Sequence, residues 1–143
     1  MKFSVVFGSM TGHCKKIARA VADELEVIPV NVKTESADLI FADVLVVVSG
    51  IYGGKILKET EEFLKSLESS QAPKALLVMT GAADNFSDGG IKEILSEKGI
   101  DVIGETYVTG SFIFKNFRRP NKTDIENAVG FVLESKKQLE TQG

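Results

Sequence analysis

The chain has 143 residues, 43% of them hydrophobic, and its 17 basic and 20 acidic side chains leave a net charge of -3. That balance argues against nucleic-acid binding, and no stretch has the length of a membrane span. A single Cys and a single His exclude an internal disulfide and a zinc-caging cluster, and the N-terminus has no signal-peptide anatomy, so a soluble cytoplasmic domain spanning 1–143 is expected.

The first apolar run, "FSVVF" (3–7), reads as a buried strand and stops at Gly8. A helix should follow, because Ile17, Val21 and Leu25 recur every four residues with Ala18 and Ala22 beside them. "EVIPVNV" (26–32) carries Pro29, which cannot donate to a ladder, so it is expected at a sheet edge. "TESADLIFAD" leaves room for one or two turns before the third strand, "VLVVVS" (44–49). A helical pattern over about 55–69 buries Ile56, Phe63, Leu64 and Leu67, and "ALLVMT" (75–80) is the fourth strand. The next helix, near 88–98, opens at "SDGG" and stops at Gly99. A weaker strand, "DVIGETYVT" (101–109), precedes the last helix, which opens with the capping box Thr123-x-x-Glu126 and buries Ile125, Val129, Val132 and Leu133.

Strand–helix alternation predicts an α/β fold: a doubly wound, five-stranded parallel sheet in a three-layer αβα sandwich. Continuous apolar runs suit strands buried on both faces, and the edge-like second strand fits the order 2-1-3-4-5. Ligands of such sheets bind beyond the strand C-termini at the switch point between strands 1 and 3. The loops to inspect are therefore 8–13, 49–55 and 80–88.

"GSMTGHC" between strand and helix has the makings of a phosphate site. A helix N-terminus presents unpaired N–H groups and positive potential, Ser9 and Thr11 add hydroxyls, and Gly12 admits close approach. The patterns GxxxxGK[ST] and GxGxxG both fail here. A phosphatase loop around Cys14 would need an arginine six residues on, and Arg19 is five residues on within a helical pattern. The plain alternative is a polar strand-to-helix turn.

"SMTGHC" (9–14) resembles the flavodoxin phosphate loop, S/T-x-T-G-x-T, which holds the 5′-phosphate of FMN. "SGIYGGKILKETEEFLKSL" (49–67) resembles the flavin-flanking loop and helix after the third flavodoxin strand, and is similar to the same segment of flavodoxin-like protoporphyrinogen oxidases. The spacing of all five strands agrees. The resemblance implies FMN as cofactor, with Ser9, Met10, Thr11, Gly12, His13 and Cys14 around the phosphate. It implies flavin contacts from Ser49, Gly50, Ile51, Tyr52, Gly53 and Gly54, and from Thr80, Gly81, Ala82, Asn85 and Phe86 in the third loop.

Three departures stand out. Cys14 replaces the family's Thr and removes a hydroxyl from the phosphate shell; as a thiol at a helix N-terminus it could also have a lowered pKa. His13 could supply a charge-assisted contact when protonated, or be an exposed first-turn residue. The third loop lacks the usual Gly-Asp pair and tyrosine, with Asn85 or Phe86 as substitutes. Tyr52 is the aromatic expected against the flavin ring, the alternative being a tyrosine packed on the helix behind it. In the loop 110–122, Phe112, Phe114 and Phe117 with Arg118 and Arg119 either pin the loop to the domain or form an apolar-basic collar for a partner.

No acid–base pair, nucleophile–base pair or metal set occurs in the three loops, so no catalytic or metal residues are assigned. The expected function is a monomeric one-electron carrier between redox partner proteins, meaning reductase or ferredoxin-type donors and acceptor enzymes, without nucleic acid or membrane. The alternatives are an FMN-dependent oxidoreductase, quinone-linked or of the protoporphyrinogen oxidase type, and a scaffold that has lost its flavin. A phosphoacceptor receiver domain would need a carboxylate after strand three and a lysine after strand five, where this chain has Ser49-Gly50 and Gly110-Ser111.

Overall fold

The computed structural model describes residues 1–8, 12–52, 54–81, 88–108 and 122–142. Along the chain these form β1 (Phe3–Gly8), α1 (His13–Leu25), β2 (Val30–Asn31), a 3-10 turn (Ala37–Leu39), β3 (Val44–Gly50), α2 (Lys58–Lys65), β4 (Lys74–Thr80), α3 (Ile91–Glu97), β5 (Asp101–Val108) and α4 (Lys122–Gln142). All five strands are parallel, in the order β2-β1-β3-β4-β5. This is the expected doubly wound topology, with Pro29 at the edge strand.

Alternation along the central strands feeds two cores. Phe3, Val5, Phe7, Val44, Val46, Val48, Leu76 and Val78 meet Cys14, Ile17, Ala18, Val21 and Ala22 of α1 and Ala128 and Val132 of α4. Val6, Leu45, Val47, Leu77 and Met79 meet Phe63 and Leu64 of α2 and Ile91 and Leu95 of α3 on the opposite face. Every residue of β3 is buried, which explains why its sequence reads as one unbroken apolar run.

Several boundaries differ from the expected ones, each for a local reason. β2 shrinks to two residues. Glu26 takes a left-handed conformation (φ 60°) to end α1, and Val27 N–H reaches back to Ala22 O at 2.9 Å. Beyond β2, the Glu35 carboxylate accepts from Asn31 N–H (2.7 Å) and turns the chain away. α2 begins at Lys58 rather than near 55, because Lys55 is bridged antiparallel to Tyr52. α3 begins at Ile91, after Gly89 and Gly90 at φ 64° and 91°, and the Asp88 carboxylate accepts from the N–H groups of Gly90 (2.9 Å) and Lys92 (3.0 Å). α4 starts at Lys122, so Thr123 lies inside its first turn instead of at its cap.

A β-bulge between β4 and β5 sets Val102 opposite Ala75 and Gly104 opposite Leu76. A Cβ on Gly104 would lie 3.3 Å from the ring of Phe131, so α4 rests directly on the β5 backbone there.

Candidate functional site at the carboxyl edge of the sheet

The register brings the strand ends to one level. Gly8 lies opposite Ser49 and Ser49 opposite Met79, while Gly50 lies opposite Thr80 and Thr80 opposite Val108. The described ends of the three loops singled out from sequence therefore share one rim, at the switch point where β1 is flanked by β2 and β3.

On the β1 side, Gly12 occupies the N-cap of α1 and has no side chain with which to cap the helix; the first turn contains no acidic residue. A Cβ on Gly12 would meet nothing within 4 Å among the described residues. The N-terminus of this thirteen-residue helix thus carries neither a capping side chain nor an acidic residue in its first turn, and its positive potential would favour an anion.

His13 is exposed beside it. Its pKa lies below the ordinary 6.5, through partial burial first and the neighbouring Lys16 charge second. Both effects disfavour the protonated imidazole, the form that the contact expected from sequence would need. Cys14 is turned inward. It is fully buried among the α1 residues of the core, with its Sγ 3.4 Å from Thr80 Oγ1. Its thiol faces the end of β4.

At the end of β3, Ser49 is fully buried and its hydroxyl donates to Gly50 O (3.1 Å). Ile51 N–H donates to Thr80 O (2.7 Å), tying this loop to β4, and a Cβ on Gly81 would lie 3.2 Å from Ile51 O. Tyr52 and Lys55 then close a tight turn through Tyr52 N–H to Lys55 O (2.7 Å) and Lys55 N–H to Tyr52 O (3.1 Å). Gly54, its second central residue, has φ 79°, and a Cβ there would meet nothing within 4 Å among the described residues. The half-buried Tyr52 ring folds back over Gly50, and its Cε2 lies 2.9 Å from where a Cβ on Gly50 would be. So Tyr52 packs against the end of β3. Just beyond the second and third loops the chain is also close-packed, since a Cβ on Gly89 would lie 3.0 Å from Ile56 N.

Ser9, Met10, Thr11, Gly53, Ala82, Asn85 and Phe86, and the loop 110–122 up to Asn121, lie outside the described residues. Among the described residues no group of three or more His, Cys, Asp or Glu is placed to hold a metal, and no helix is long and apolar enough to cross a membrane.

Sequence reasoning missed Thr60. It is 1% exposed, and its hydroxyl occupies the space that the missing side chain of Gly8 leaves. The signal was available: Thr60 is the one polar member of an apolar stripe that continues through Phe63, Leu64 and Leu67.

Comparison with known proteins agrees with this fold. A family model described as a flavodoxin domain matches residues 4–127. An uncharacterized protein of Methanocaldococcus jannaschii is 33% identical, over 83% of this chain and 87% of its own length. Among solved structures, a flavodoxin from the domain Archaea superposes with a TM-score of 0.71 at 19% identity, covering 95% of this chain and 98% of its own. A Fusobacterium nucleatum flavodoxin bound to flavin mononucleotide gives 0.68 at 17% identity, covering 96% and 99%. At these identities the structural likeness concerns the fold, while the family match spans β1 into α4 and takes in every strand and all three rim loops. The chain belongs to the flavodoxin domain family.

Proposed function

We propose that this chain binds FMN at the carboxyl edge of its sheet and carries electrons one at a time between redox partner proteins, as a cytoplasmic monomer. The observation that carries this reading is a pair of glycines on one rim whose Cβ positions would meet nothing within 4 Å among the described residues: Gly12 at the N-terminus of α1, and Gly54 in the Tyr52–Lys55 turn. The first suits a phosphate and the second a flat ring system approaching backbone. The residues present therefore fit the cofactor that the family implies.

Bound FMN would supply a ring system able to hold one or two electrons. The chain's own part is to hold and protect it. The N–H groups at the start of α1, with the hydroxyls of Ser9 and Thr11, bind the phosphate. Tyr52 would shield the ring from water, and the peptide between Gly53 and Gly54 would offer a hydrogen bond to the flavin. Glycine at the second central position takes positive φ without a steric penalty, so this peptide can turn over cheaply. Reductase or ferredoxin-type donors and acceptor enzymes are the partner class that such a carrier serves.

Two measurements test the reading. FMN should bind far more tightly than riboflavin, since each hydrogen bond to a charged group contributes about 1.5–3 kcal/mol. Thr11→Ala should weaken FMN roughly tenfold and leave riboflavin nearly unchanged. Equal affinities of the wild-type chain for the two ligands would remove the phosphate assignment. Potentiometric reduction of the FMN-loaded protein should then resolve two one-electron waves. A single two-electron wave would replace the carrier by an FMN-dependent oxidoreductase of the same fold.

A further inference from the structure

The side chains of α2 that enter the core are Thr60, Phe63 and Leu64. Thr60 Oγ1 is buried with no hydrogen-bond partner among the described residues. Burying a hydroxyl without an acceptor is unfavourable, and a valine of nearly the same shape would avoid the penalty. The position of the hydroxyl is specific. A Cβ on Gly8 would collide with it, and would also lie 2.9 Å from Val32 Cγ2. Gly8 is the last residue of β1, where the backbone leaves for the N-terminus of α1. The orphaned hydroxyl thus sits beneath the root of the anion site, on the face of the sheet opposite α1.

We propose that Thr60 is a positioning residue for the anion site: its hydroxyl braces the backbone at Gly8 and gains a hydrogen-bond acceptor at the end of β1 when a phosphate-bearing ligand binds. Thr60 acts through the backbone and does not touch the ligand. The glycine at position 8 is then required because the hydroxyl needs its space. The inference rests on the phosphate reading above.

The test compares Thr60→Val and Thr60→Ser with the wild-type chain, titrating FMN and riboflavin and following thermal unfolding without ligand. Thr60→Val should unfold at the same or a higher temperature, because it buries no unpaired polar atom, yet bind FMN about three- to tenfold more weakly. Its riboflavin affinity should not change. Thr60→Ser, which keeps the hydroxyl, should bind FMN within about twofold of wild type, even if loss of the methyl lowers its melting temperature. Unchanged FMN affinity in Thr60→Val would overturn the proposal, as would equal weakening of FMN and riboflavin, or a Thr60→Ser variant as weak as Thr60→Val. The wild-type preference for FMN over riboflavin is read separately: its absence removes the phosphate site itself, whereas its presence beside an unaffected Thr60→Val removes only the role of Thr60.

Discussion

At the residue scale, the first turn of α1 separates two neighbours that look alike in sequence. His13 and Cys14 both stand in the first turn of α1, but helical geometry sends them in different directions: His13 is exposed, and Cys14 enters the core beside Thr80. His13 is the chain's single histidine, so an NMR titration follows one imidazole without ambiguity. In the ligand-free protein its pKa should lie below 6.5, because partial burial and Lys16 disfavour the cation. For a base with a depressed folded-state pKa, the unfolded chain binds more protons. This contribution to stability is therefore whole above about pH 6.5 and declines as the pH falls through that value, levelling off below the folded-state pKa. A bound phosphate should reverse the shift and raise the pKa. FMN affinity should then increase on acidification through this range, relative to riboflavin. An imidazole titration unmoved by FMN would show that His13 stands clear of the phosphate.

At the scale of elements, the ends of helices and strands decide where the rim loops begin. α1 ends at Glu26, the one non-glycine among the described residues with positive φ. A side chain in the left-handed region is disfavoured by roughly 1 kcal/mol, and Glu26 is exposed, so little packing would be lost with it. Glu26→Gly should therefore stabilise the protein by about 0.5–1 kcal/mol, seen as a higher urea midpoint at constant slope. A lower midpoint would mean that the added freedom of glycine in the unfolded chain outweighs the relieved strain. α2 was legible from its apolar spacing, but its start was not. Residues 55–57 carry helix-compatible side chains, and only the pairing of Lys55 with Tyr52 across Gly54 excludes them from the helix. β2 was legible as an edge strand for the opposite reason: Pro29 states its position outright, since it has no N–H to give a second neighbour.

At the scale of the whole molecule, the sheet is most secure at its centre. β1, β3 and β4 are flanked by strands on both sides and covered by helices on both faces, whereas β2 is two residues long and β5 is largely half-buried. Hydrogen exchange should reflect this gradient. The slowest amides should be those of Val5, Val6, Val46, Val47, Val48, Leu77 and Val78, with Val30 and the β5 amides exchanging well before them. Uniform protection across β3 and β5 would contradict the gradient. The outer strand β2 is also guarded against pairing with another chain. Pro29 has no N–H, and that of Asn31 is engaged by Glu35 at 2.7 Å.

Fold class and strand order could be read from the sequence, as could the meeting of three loop ends at one edge of the sheet. Continuous apolar runs alternating with helical periodicity admit few topologies, and glycine and hydroxyl clusters mark where backbone must come close to a ligand. The tertiary structure alone decided which way each side chain at that rim faces. Whether Cys14 points to a phosphate or to Thr80 depends on the rotation of α1 against β4, and the Tyr52 ring lies where it does because Gly50 leaves room for it. The meeting of Thr60 with Gly8 joins residues 52 positions apart in sequence, an adjacency that the parallel pairing of β1 with β3 and the packing of α2 on the sheet create and no local pattern encodes.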